Sequence, residues 1–546
     1  MKMITRINLS IAIFFSLFLI NTSFAQEGPS SRLEIEEIIV TGTKRDIGQQ
    51  DAAIAVSAIT EQAFANQNAN DPRAIASLVP NVTLTLQPAF NAVAGGIRGT
   101  GSISILVTED PSVAFLVDDF GLNHVQSQFI EMFDIEQIEV YRGPQGTLFG
   151  KNATGGVISV TTKKPVLDEW SGEFSAMAGQ YDWNEGSINK FKLALNAPIV
   201  EGKVAMRIAA IWDKSQGFYT NSKPAGDFPG PIVLNPAAAW PDDGTSLSNV
   251  GDGGDLGGKD VLAAKVKLLF EPNANYSGHL IFEISKDDSG SPPTVNETEC
   301  PGGQLFCLLG FPGIHTPSPN WGGEKWSNPY ATGESFHCNS VIAICKGHRM
   351  DSKGVYFNQT FAIGDNYTLK SITGYRNHEE RNASTYTGEA FASLYDASRN
   401  TERDQMQQEF RLTSEYDGPF NFTAGLSYAE DNLNFAAYAA VGLQWFLGVP
   451  GWIHTDYSST ATHQNRTSKA YYFDFTYEIN EAWRISAGIR ETEDEKQFVR
   501  ETGTLGNNAL GRPNNNISTG GYTRDDDIAL FNTCLLYTSP SPRDSC

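Results

Sequence analysis

Basic residues and long apolar runs are both scarce in this sequence. The 546 residues include 40 Lys and Arg against 63 Asp and Glu, which gives a formal net charge of −23. Nucleic-acid binding needs clustered Lys and Arg to neutralise phosphates, so we expect no nucleic-acid partner. Beyond the N-terminus, no stretch is apolar enough to be a membrane-spanning helix, which needs about 20 residues.

The glycine-rich stretch Val140–Pro165 lacks the spacing of a nucleotide site. Lys151 follows Gly150, but Gln145 stands where a P-loop needs its first glycine, and Asn152 where it needs Ser or Thr. No two glycines of the stretch are separated by one residue, so the dinucleotide pattern is missing too. We expect these glycines to allow tight turns and close backbone approach instead.

The N-terminus has the organisation of a secretory signal peptide, residues 1–25. Lys2 and Arg6 precede the apolar run Ile11–Ile20, and the small-residue site Ser23–Ala25 follows it. A retained membrane anchor is the alternative. We expect a mature chain that begins near Gln26, outside the cytoplasm.

Residues 47–165 have the pattern of an α+β domain. Asp71 and Pro72 suit the start of a helix that ends at Leu78, because Asp is a good N-cap and Pro fits the first turn. Phe115–Asp118 and Ile135–Tyr141 are predicted strands, rich in β-branched and aromatic residues.

After residue 170 the sequence alternates apolar and polar residues in segments of about ten residues. In Val261–Phe270, for example, Leu262, Val266 and Phe270 alternate with Lys265 and Lys267, and a period of two places each set on its own face of a sheet. Eleven strands are predicted: Gly172–Gln180, Gly186–Asn196, Lys203–Lys214, Gly258–Glu271, Tyr276–Lys286, Gly354–Gly364, Tyr367–Asn377, Arg403–Glu415, Phe420–Glu430, Lys469–Asn480 and Trp483–Thr492.

The connections between these strands differ sharply in length. From the second strand on, short turns alternate with four long loops: Ser215–Gly257, Asp287–Lys353, His378–Glu402 and Asp431–Ser468. Short turns on one rim and long loops on the other are typical of an outer-membrane barrel, whose closure satisfies every backbone group in lipid. A secreted all-β protein with long loops is the alternative.

Four motifs resemble the TonB-dependent receptors of Gram-negative bacteria. They are IEEIIVTGTKRD (Ile35–Asp46), IRGTGS (Ile97–Ser102), FLVDDFGL (Phe115–Leu122) and the stretch Phe133–Pro165, which contains VYRGPQGTLFG. The resemblance implies an α+β plug domain at 47–165, followed by an antiparallel transmembrane β-barrel at 170–533 in the cell outer membrane. The family usually has 22 strands, so the eleven predicted here are about half of a barrel.

The last residues, 534–546, break the pattern of the strands. They show no alternation and contain Pro540 and Pro542. We interpret them as a non-native tail that is excluded from the fold; a divergent natural C-terminus is the alternative.

The resemblance implies active import of a scarce ligand, most plausibly a ferric siderophore or other iron chelate, with TonB and outer-membrane lipid as partners. It implies no catalytic residue, cofactor or resident metal. Residues 26–46 would be the TonB-box segment, and TonB would add to it as a β-strand. A first strand of the plug is a compatible interpretation. The TonB-binding residues would be Glu37, Ile38, Ile39, Val40, Thr41 and Gly42.

The same resemblance assigns a structural and gating role to a set of plug residues. Arg142 is expected to pair with acidic plug or lumen residues. The whole set is Arg98, Gly99, Asp118, Asp119, Arg142, Gly143, Pro144, Gly146, Gly150, Asn152, Gly155 and Gly156.

Four cysteines of one long loop are candidates for two disulfides in an oxidising compartment. Three pairings are possible and the local ones are favoured; zinc is a rival, but the C-x₂-C spacing is missing. The cysteines are Cys300, Cys307, Cys338 and Cys345. Asp252, Asp255 and Asp260 could bind Ca²⁺, although a solvated loop fits them better. The histidines His279, His315, His337 and His348 are scattered.

Three other functions remain open from the sequence. A passive pore or adhesin would need neither plug nor TonB box. A TonB-dependent receptor for cobalamin or a glycan would keep both. A secreted glycan-binding or hydrolytic β-protein would be soluble after signal cleavage.

Overall fold

The computed structural model describes most of the chain from Ile39 to Pro540. The residues left out within that span are 41–43, 46, 50–53, 68–69, 88–91, 103–105, 129, 183–185, 218, 221–254, 290–347, 386–395, 441–456, 481–482 and 506–534.

A five-stranded sheet forms the centre of the plug domain. Its order is β3-β9-β10-β7-β8, with β10 parallel to β7 and antiparallel to β9. Buried apolar side chains such as Phe115, Ile138 and Ile158 pack together as its core. The strands are β3 Val56–Thr60, β7 Val113–Val117, β8 Phe120–Gly121, β9 Ile135–Arg142 and β10 Gly156–Thr162.

Three short helices and two small sheets complete the domain. The helices are α1 Glu61–Ala65, α2 Arg73–Leu78 and α3 Gly146–Phe149. One small sheet pairs β1 Ile39–Val40 with β2 Ile47–Gly48, and the other joins β4 Val82–Gln87, β5 Ala92–Ile97 and β6 Thr100–Ser102.

The predicted helix that begins at Pro72 is present as α2, but its start lies one residue later. Pro72 occupies the cap position, and the Asp71 carboxylate accepts the backbone N–H of Arg73 at 3.0 Å. Because proline has no N–H of its own to offer, the aspartate caps the helix from one residue further back.

The remaining strands form one antiparallel sheet of twelve. Its order follows the chain, with each strand beside the next. The strands are β11 Ser171–Gln180, β12 Ser187–Val200, β13 Val204–Ser215, β16 Lys259–Asn273, β17 Tyr276–Asp287, β18 His348–Ile363, β19 Tyr367–Thr385, β20 Asp396–Ser414, β21 Phe420–Ala440, β22 Tyr457–Asn480, β23 Trp483–Leu505 and β24 Leu535–Pro540. A separate ribbon pairs β14 Tyr219–Thr220 with β15 Asp255–Leu256.

The period-two pattern has the predicted structural consequence in this sheet. On β16, Lys265 and Lys267 are buried on the inner face, against the plug domain, whereas Leu262 on the other face is 47% exposed. The outer face is therefore apolar and the inner face is polar and covered. Among the described residues, no helix combines the length and apolar character that crossing a membrane requires.

Several strands are longer on the loop side than the sequence predicts. The strand predicted at Lys469–Asn480 extends to Tyr457, and the one predicted at Trp483–Thr492 extends to Leu505. The two continue to pair in register over this extension, up to Tyr457 opposite Leu505. Apolar alternation marks only the part of a strand that faces lipid, while the hydrogen-bond ladder continues beyond it.

The predicted asymmetry of the connections is preserved. Residues 201–203, 274–275, 364–366 and 415–419 make short turns on one rim. The strand ends that flank the long connections lie on the other rim, and three of these connections are shorter than predicted because the flanking strands are longer.

Part of the tail that we expected to lie outside the fold pairs with the sheet. Strand β24 pairs with β23 in an antiparallel ladder. Leu535 lies opposite Arg500 at one end of this ladder, and Pro540 lies opposite Glu495 at the other. Within the described residues, β11 and β24 each have one neighbour, so the sheet has two open edges. The non-native origin of the tail stays a prediction.

Candidate functional site: contacts between the plug and the sheet

The plug domain and the twelve-stranded sheet belong to one unit, Ile39–Cys546. The contacts between them share a chemical pattern. At four places a carboxylate of the plug meets a cation from a strand of the sheet, and most of these groups are removed from solvent.

The first contact centres on Asp134, in the turn that precedes β9. Its backbone is left-handed, with φ at 54°, and its carboxylate contacts cations of β13 and β16. Arg207 donates from Nε to both carboxylate oxygens at 3.0 Å, and Lys267 Nζ donates at 3.0 Å. Lys267 also donates to the carbonyl of Lys163 at 2.7 Å.

These partners keep Asp134 charged. Burial alone would raise its pKa, but the hydrogen bond from Arg207 and the charge of Lys267 outweigh burial, so the pKa lies below its ordinary value. We call Asp134, Arg207 and Lys267 the Asp134 latch. At another point on the interface, Glu131 accepts a hydrogen bond from Lys259 at 2.7 Å.

The second contact, at Asp119, connects the sheet with the chain that follows β1. Lys44 Nζ lies 3.3 Å from Asp119 Oδ1 and 4.2 Å from the centre of the Phe149 ring. Arg411 of β20 lies 3.5 Å from the same carboxylate oxygen. One residue on, Arg45 donates to the Thr423 hydroxyl at 3.2 Å. We call Lys44, Asp119 and Arg411 the Lys44 latch.

Burial and charge act in opposite directions in the Lys44 latch. Burial lowers the pKa of Lys44, and the Arg411 charge lowers it further against the attraction of Asp119. Burial would raise the pKa of Asp119, but Lys44 and Arg411 together hold it well below its usual range. The Asp119 carboxylate therefore stays charged throughout the physiological range.

The predicted TonB-binding residues are only partly described. Ile39 pairs with Gly48 and Val40 with Ile47, and the Val40 side chain is fully buried. This ribbon is separate from the five-stranded sheet of the plug. Glu37, Ile38, Thr41 and Gly42 lie outside the described residues.

Most of the predicted plug-motif residues lie in turns and are not gathered into one pocket. Asp118 and Asp119 make the tight turn between β7 and β8, where Thr162 donates to the Asp118 carboxylate from its backbone N–H at 2.9 Å. Positive φ angles in the left-handed region occur at Arg98, Gly99, Asp118, Asp119, Gly143, Gly150, Asn152 and Gly156. Pro144 is exposed, and Gly146 opens α3.

Gly155 is required for a close backbone approach. A Cβ at this position would lie 2.5 Å from the Thr100 carbonyl oxygen, a distance that real side chains do not reach. Its N–H donates to the Ser112 carbonyl at 2.9 Å, which joins the glycine-rich stretch to the chain before β7.

Arg142 was expected to pair with acidic residues, and this stays a prediction. Its Nε is buried and has no hydrogen-bond partner among the described residues. Its backbone N–H donates to the Ala55 carbonyl at 2.9 Å.

Those of the remaining candidates that the structure describes do not assemble into a site. Asp260 pairs with Lys214 at 2.6 Å, and His279 is a buried residue of β17. The part of the chain that the structure describes contains no group of three or more His, Cys, Asp or Glu able to hold a metal. For Asp255 and His348 only the backbone is described. Outside the described residues lie Asp252, His315, His337, Cys300, Cys307, Cys338 and Cys345.

Sequence reasoning missed two glutamines of β20 that bind the plug backbone. Gln407 accepts the N–H of Gly121 at 3.0 Å and donates to the carbonyl of Asp119 at 3.2 Å. Gln405 donates to the Gly121 carbonyl. Their spacing of two residues, in step with Arg403 and Arg411 on the inner face, was a signal that could have identified them.

Comparison with known proteins identifies the smaller domain. Residues 48–157 match the family model described as TonB-dependent Receptor Plug Domain. The chain carries a TonB-dependent receptor plug. The matched residues lie within the domain predicted at 47–165, whose exact bounds stay a prediction.

Curated relatives are receptors of the same type. The chain is 27% identical over 203 residues to a probable TonB-dependent siderophore receptor, PirA, of Acinetobacter baumannii, covering 35% of this chain and 26% of that protein. It is 27% identical over 227 residues to a ferric enterobactin receptor of Pseudomonas aeruginosa, covering 38% and 30%. The matched part thus spans less than a third of either relative.

Solved structures share the fold of the plug and the sheet together. The ferric yersiniabactin uptake receptor FyuA of Yersinia pestis superposes with a TM-score of 0.61 at 15% identity, covering 89% of this chain and 60% of that one. The ferric citrate transporter FecA superposes with a TM-score of 0.55 at 11% identity, covering 83% and 59%. The predicted fold class, a plug followed by antiparallel barrel strands, and the outer-membrane location are confirmed.

Proposed function

We propose that this protein is a TonB-dependent outer-membrane receptor that imports a ferric siderophore or another iron chelate. It works as a transporter and catalyses no reaction. The observation that carries the proposal is the Lys44 latch, which ties the chain just after β1 to a plug turn and a barrel strand.

The relatives support iron chelate over cobalamin or glycan as cargo. PirA is named as a probable siderophore receptor and the Pseudomonas relative as a ferric enterobactin receptor. The plug also argues against a passive pore. Its carboxylates are ion-paired with Arg207, Lys267 and Arg411 of the strands, so it covers the inner face of the sheet.

The proposed mechanism begins with cargo binding on the side of the long loops. The segment Glu37–Gly42 then becomes available to TonB, which adds to it as a β-strand through main-chain hydrogen bonds. Its sequence favours extended chain because Ile38, Ile39, Val40 and Thr41 are β-branched. Pulling on this segment would load the Lys44 latch directly, since Lys44 follows the segment by two residues.

Uptake by cells that express the full-length gene tests this function. Cells with TonB should accumulate ⁵⁵Fe supplied as ferric chelate, and cells without TonB should not. Ile39→Pro removes a backbone donor and resists strand pairing, so it should abolish uptake while chelate binding to isolated outer membranes persists.

Ile39→Val is the matched control, because it keeps both the N–H and the β-branched side chain. It should import at nearly the rate of the wild type. Uptake by Ile39→Pro equal to that of the wild type would refute the role of this segment.

A further inference from the structure

A short loop of the plug, residues 106–110, is held by cations from the barrel strands. Arg403 of β20 donates to the Val107 carbonyl at 2.7 Å, and Lys496 of β23 donates to the Thr108 carbonyl at 2.6 Å. Arg466 of β22 forms an ion pair with the Asp110 carboxylate. Three acceptors of the loop thus bind cations from three different strands.

The barrel side of this contact has more donors than the plug uses. Arg466 Nη1 binds Asp110, but within the described part of the chain the buried Arg466 Nη2 has no hydrogen-bond partner. Gln464, two residues earlier on the same face, is fully buried, and neither of its amide atoms has a partner among the described residues. Buried donors of this kind are rarely left unused, so they point to a group that binds there.

The charges around the loop favour an anion. Arg403, Arg466, Lys496 and Lys151 lie around three carboxylates, those of Asp110, Asp431 and Asp494. Removing the Asp110 carboxylate would leave four cations facing two carboxylates. His124, which donates to or accepts from Asp431 at 3.0 Å, is buried beside them.

Asp110 is also the accessible member of its ion pair. Its side chain is 39% exposed, whereas that of Arg466 is 3% exposed. A solute that approaches the plug can therefore reach the carboxylate and compete with it for the arginine.

We propose that Arg466, Gln464, Arg403 and Lys496 form an anion-binding site that Asp110 occupies in the resting receptor, and that an anionic iron chelate displaces Asp110 from it. The inference rests on the proposed function and specifies the charge of the cargo. A chelate with several anionic oxygens, such as a tris-catecholate, can bind the guanidinium through two oxygens and also accept from the Gln464 amide.

A short stretch of chain connects Asp110 with the Lys44 latch, so that displacement of Asp110 could affect the latch. Asp110 precedes Pro111 and Ser112, and the Ser112 carbonyl accepts the Gly155 N–H. Strand β7 begins at the next residue and ends beside Asp118 and Asp119, so the anion site and the Lys44 latch lie at opposite ends of one strand.

Equilibrium binding to outer membranes that contain the full-length receptor tests the site. The probes are a trianionic ferric tris-catecholate and a neutral ferric tris-hydroxamate, both labelled with ⁵⁵Fe. Arg466→Gln should weaken binding of the trianionic probe about tenfold or more, because a charge-assisted pair is lost. Asp110→Asn should tighten binding of that probe about tenfold, because the competing anion is gone.

Two further variants separate binding from folding. Arg466→Lys keeps the charge and should retain most of the affinity, and Lys286→Gln removes an exposed barrel cation outside the site and should change nothing. Opposite shifts for Arg466→Gln and Asp110→Asn, confined to the trianionic probe, would establish the site.

Weaker or unchanged binding in Asp110→Asn, or equal shifts for both probes, would overturn the anion site and leave the import function standing. If the wild type binds and imports no iron chelate of any charge, the proposed function fails, and the anion site fails with it.

Discussion

Lys267 Nζ lies 3.0 Å from the Asp134 carboxylate, and both side chains are withdrawn from solvent, at 0% and 3% exposure. The lysine comes from the middle of a barrel strand and the aspartate from a plug turn. With Arg207, they fix the edge of the plug to β13 and β16. Ions buried in this way are costly when one partner is removed, because the other remains charged without compensation.

Asp134→Asn should therefore destabilise the packing of the plug against the strands by about 3–5 kcal/mol. Hydrogen exchange of the β9 and β10 amides would report the change as faster opening. Lys214→Met, which breaks the exposed pair with Asp260, is the control and should cost less than about 1 kcal/mol. Equal protection in Asp134→Asn and the wild type would show that the latch does not hold the plug.

The Lys44 latch predicts a change in the accessibility of the N-terminal segment. Asp119→Asn removes the carboxylate that pairs with Lys44, whereas Arg411 keeps its closer ion pair with Glu409 at 2.7 Å. We expect the chain around Lys44 and Arg45 to detach, so trypsin should cleave outer-membrane receptor there several-fold faster.

Asp260→Asn serves as the control for cleavage, since it removes a carboxylate whose ion pair with Lys214, at 2.6 Å, is exposed and does not involve Lys44. Identical cleavage rates for Asp119→Asn, Asp260→Asn and the wild type would contradict the latch.

Replacing glycine by alanine should have opposite effects on stability at two positions of the glycine-rich stretch. Gly155→Ala would force a Cβ to within 2.5 Å of the Thr100 oxygen, and overpacking of this kind costs about 1–3 kcal/mol. At Gly146, the first residue of α3, an added Cβ meets nothing within 4 Å, so Gly146→Ala should be neutral or stabilising. Hydrogen exchange of β10 separates the two; equal protection in both variants would contradict the steric argument.

The lowered pKa of Lys151 leads us to predict that anion binding depends on pH. Burial lowers its pKa to about 8, and Arg466 adds to the effect against Asp494, Asp110 and Asp431. As pH rises through 8, Lys151 loses its proton and the anion site loses one positive charge. Affinity for the trianionic tris-catecholate should therefore fall between pH 7 and pH 9.

His124 does not interfere with this measurement. Burial lowers its pKa to about 3, with Arg403 contributing, so it stays neutral across the window. Lys151→Gln should bind the tris-catecholate with an affinity that falls clearly less between pH 7 and pH 9 than that of the wild type. A flat profile in the wild type, or the same slope in Lys151→Gln, would show that the charge of Lys151 does not act on the anion site.

Much of the architecture follows from local pattern. The alternation in Val261–Phe270 predicted that Lys265 and Lys267 share one face of β16, and the β-branched run at Ile135–Tyr141 predicted β9. These predictions succeed because side-chain direction in a strand has a period of two, whatever lies on the other side of the sheet. The ends of the strands were harder to predict, because the ladder to Tyr457 and Leu505 continues where the apolar pattern stops.

The contacts of the plug could not be predicted in the same way. Asp110 and Arg466 are 356 residues apart, and Asp134 and Lys267 are 133 apart. Nothing in the neighbouring sequence identifies either partner of such a pair. Arg142 shows the limit clearly, since its motif suggested an ion pair and the structure shows a buried Nε without a partner among the described residues.

Energised uptake of a charged cargo tests the central claim most directly. Cells with the full-length receptor, with and without TonB, would be given the ⁵⁵Fe tris-catecholate and the neutral tris-hydroxamate at equal concentration. We predict that the receptor accumulates the trianionic chelate only when TonB is present, in clear preference to the neutral one. Accumulation that is equal with and without TonB, or no accumulation of either chelate, would contradict it.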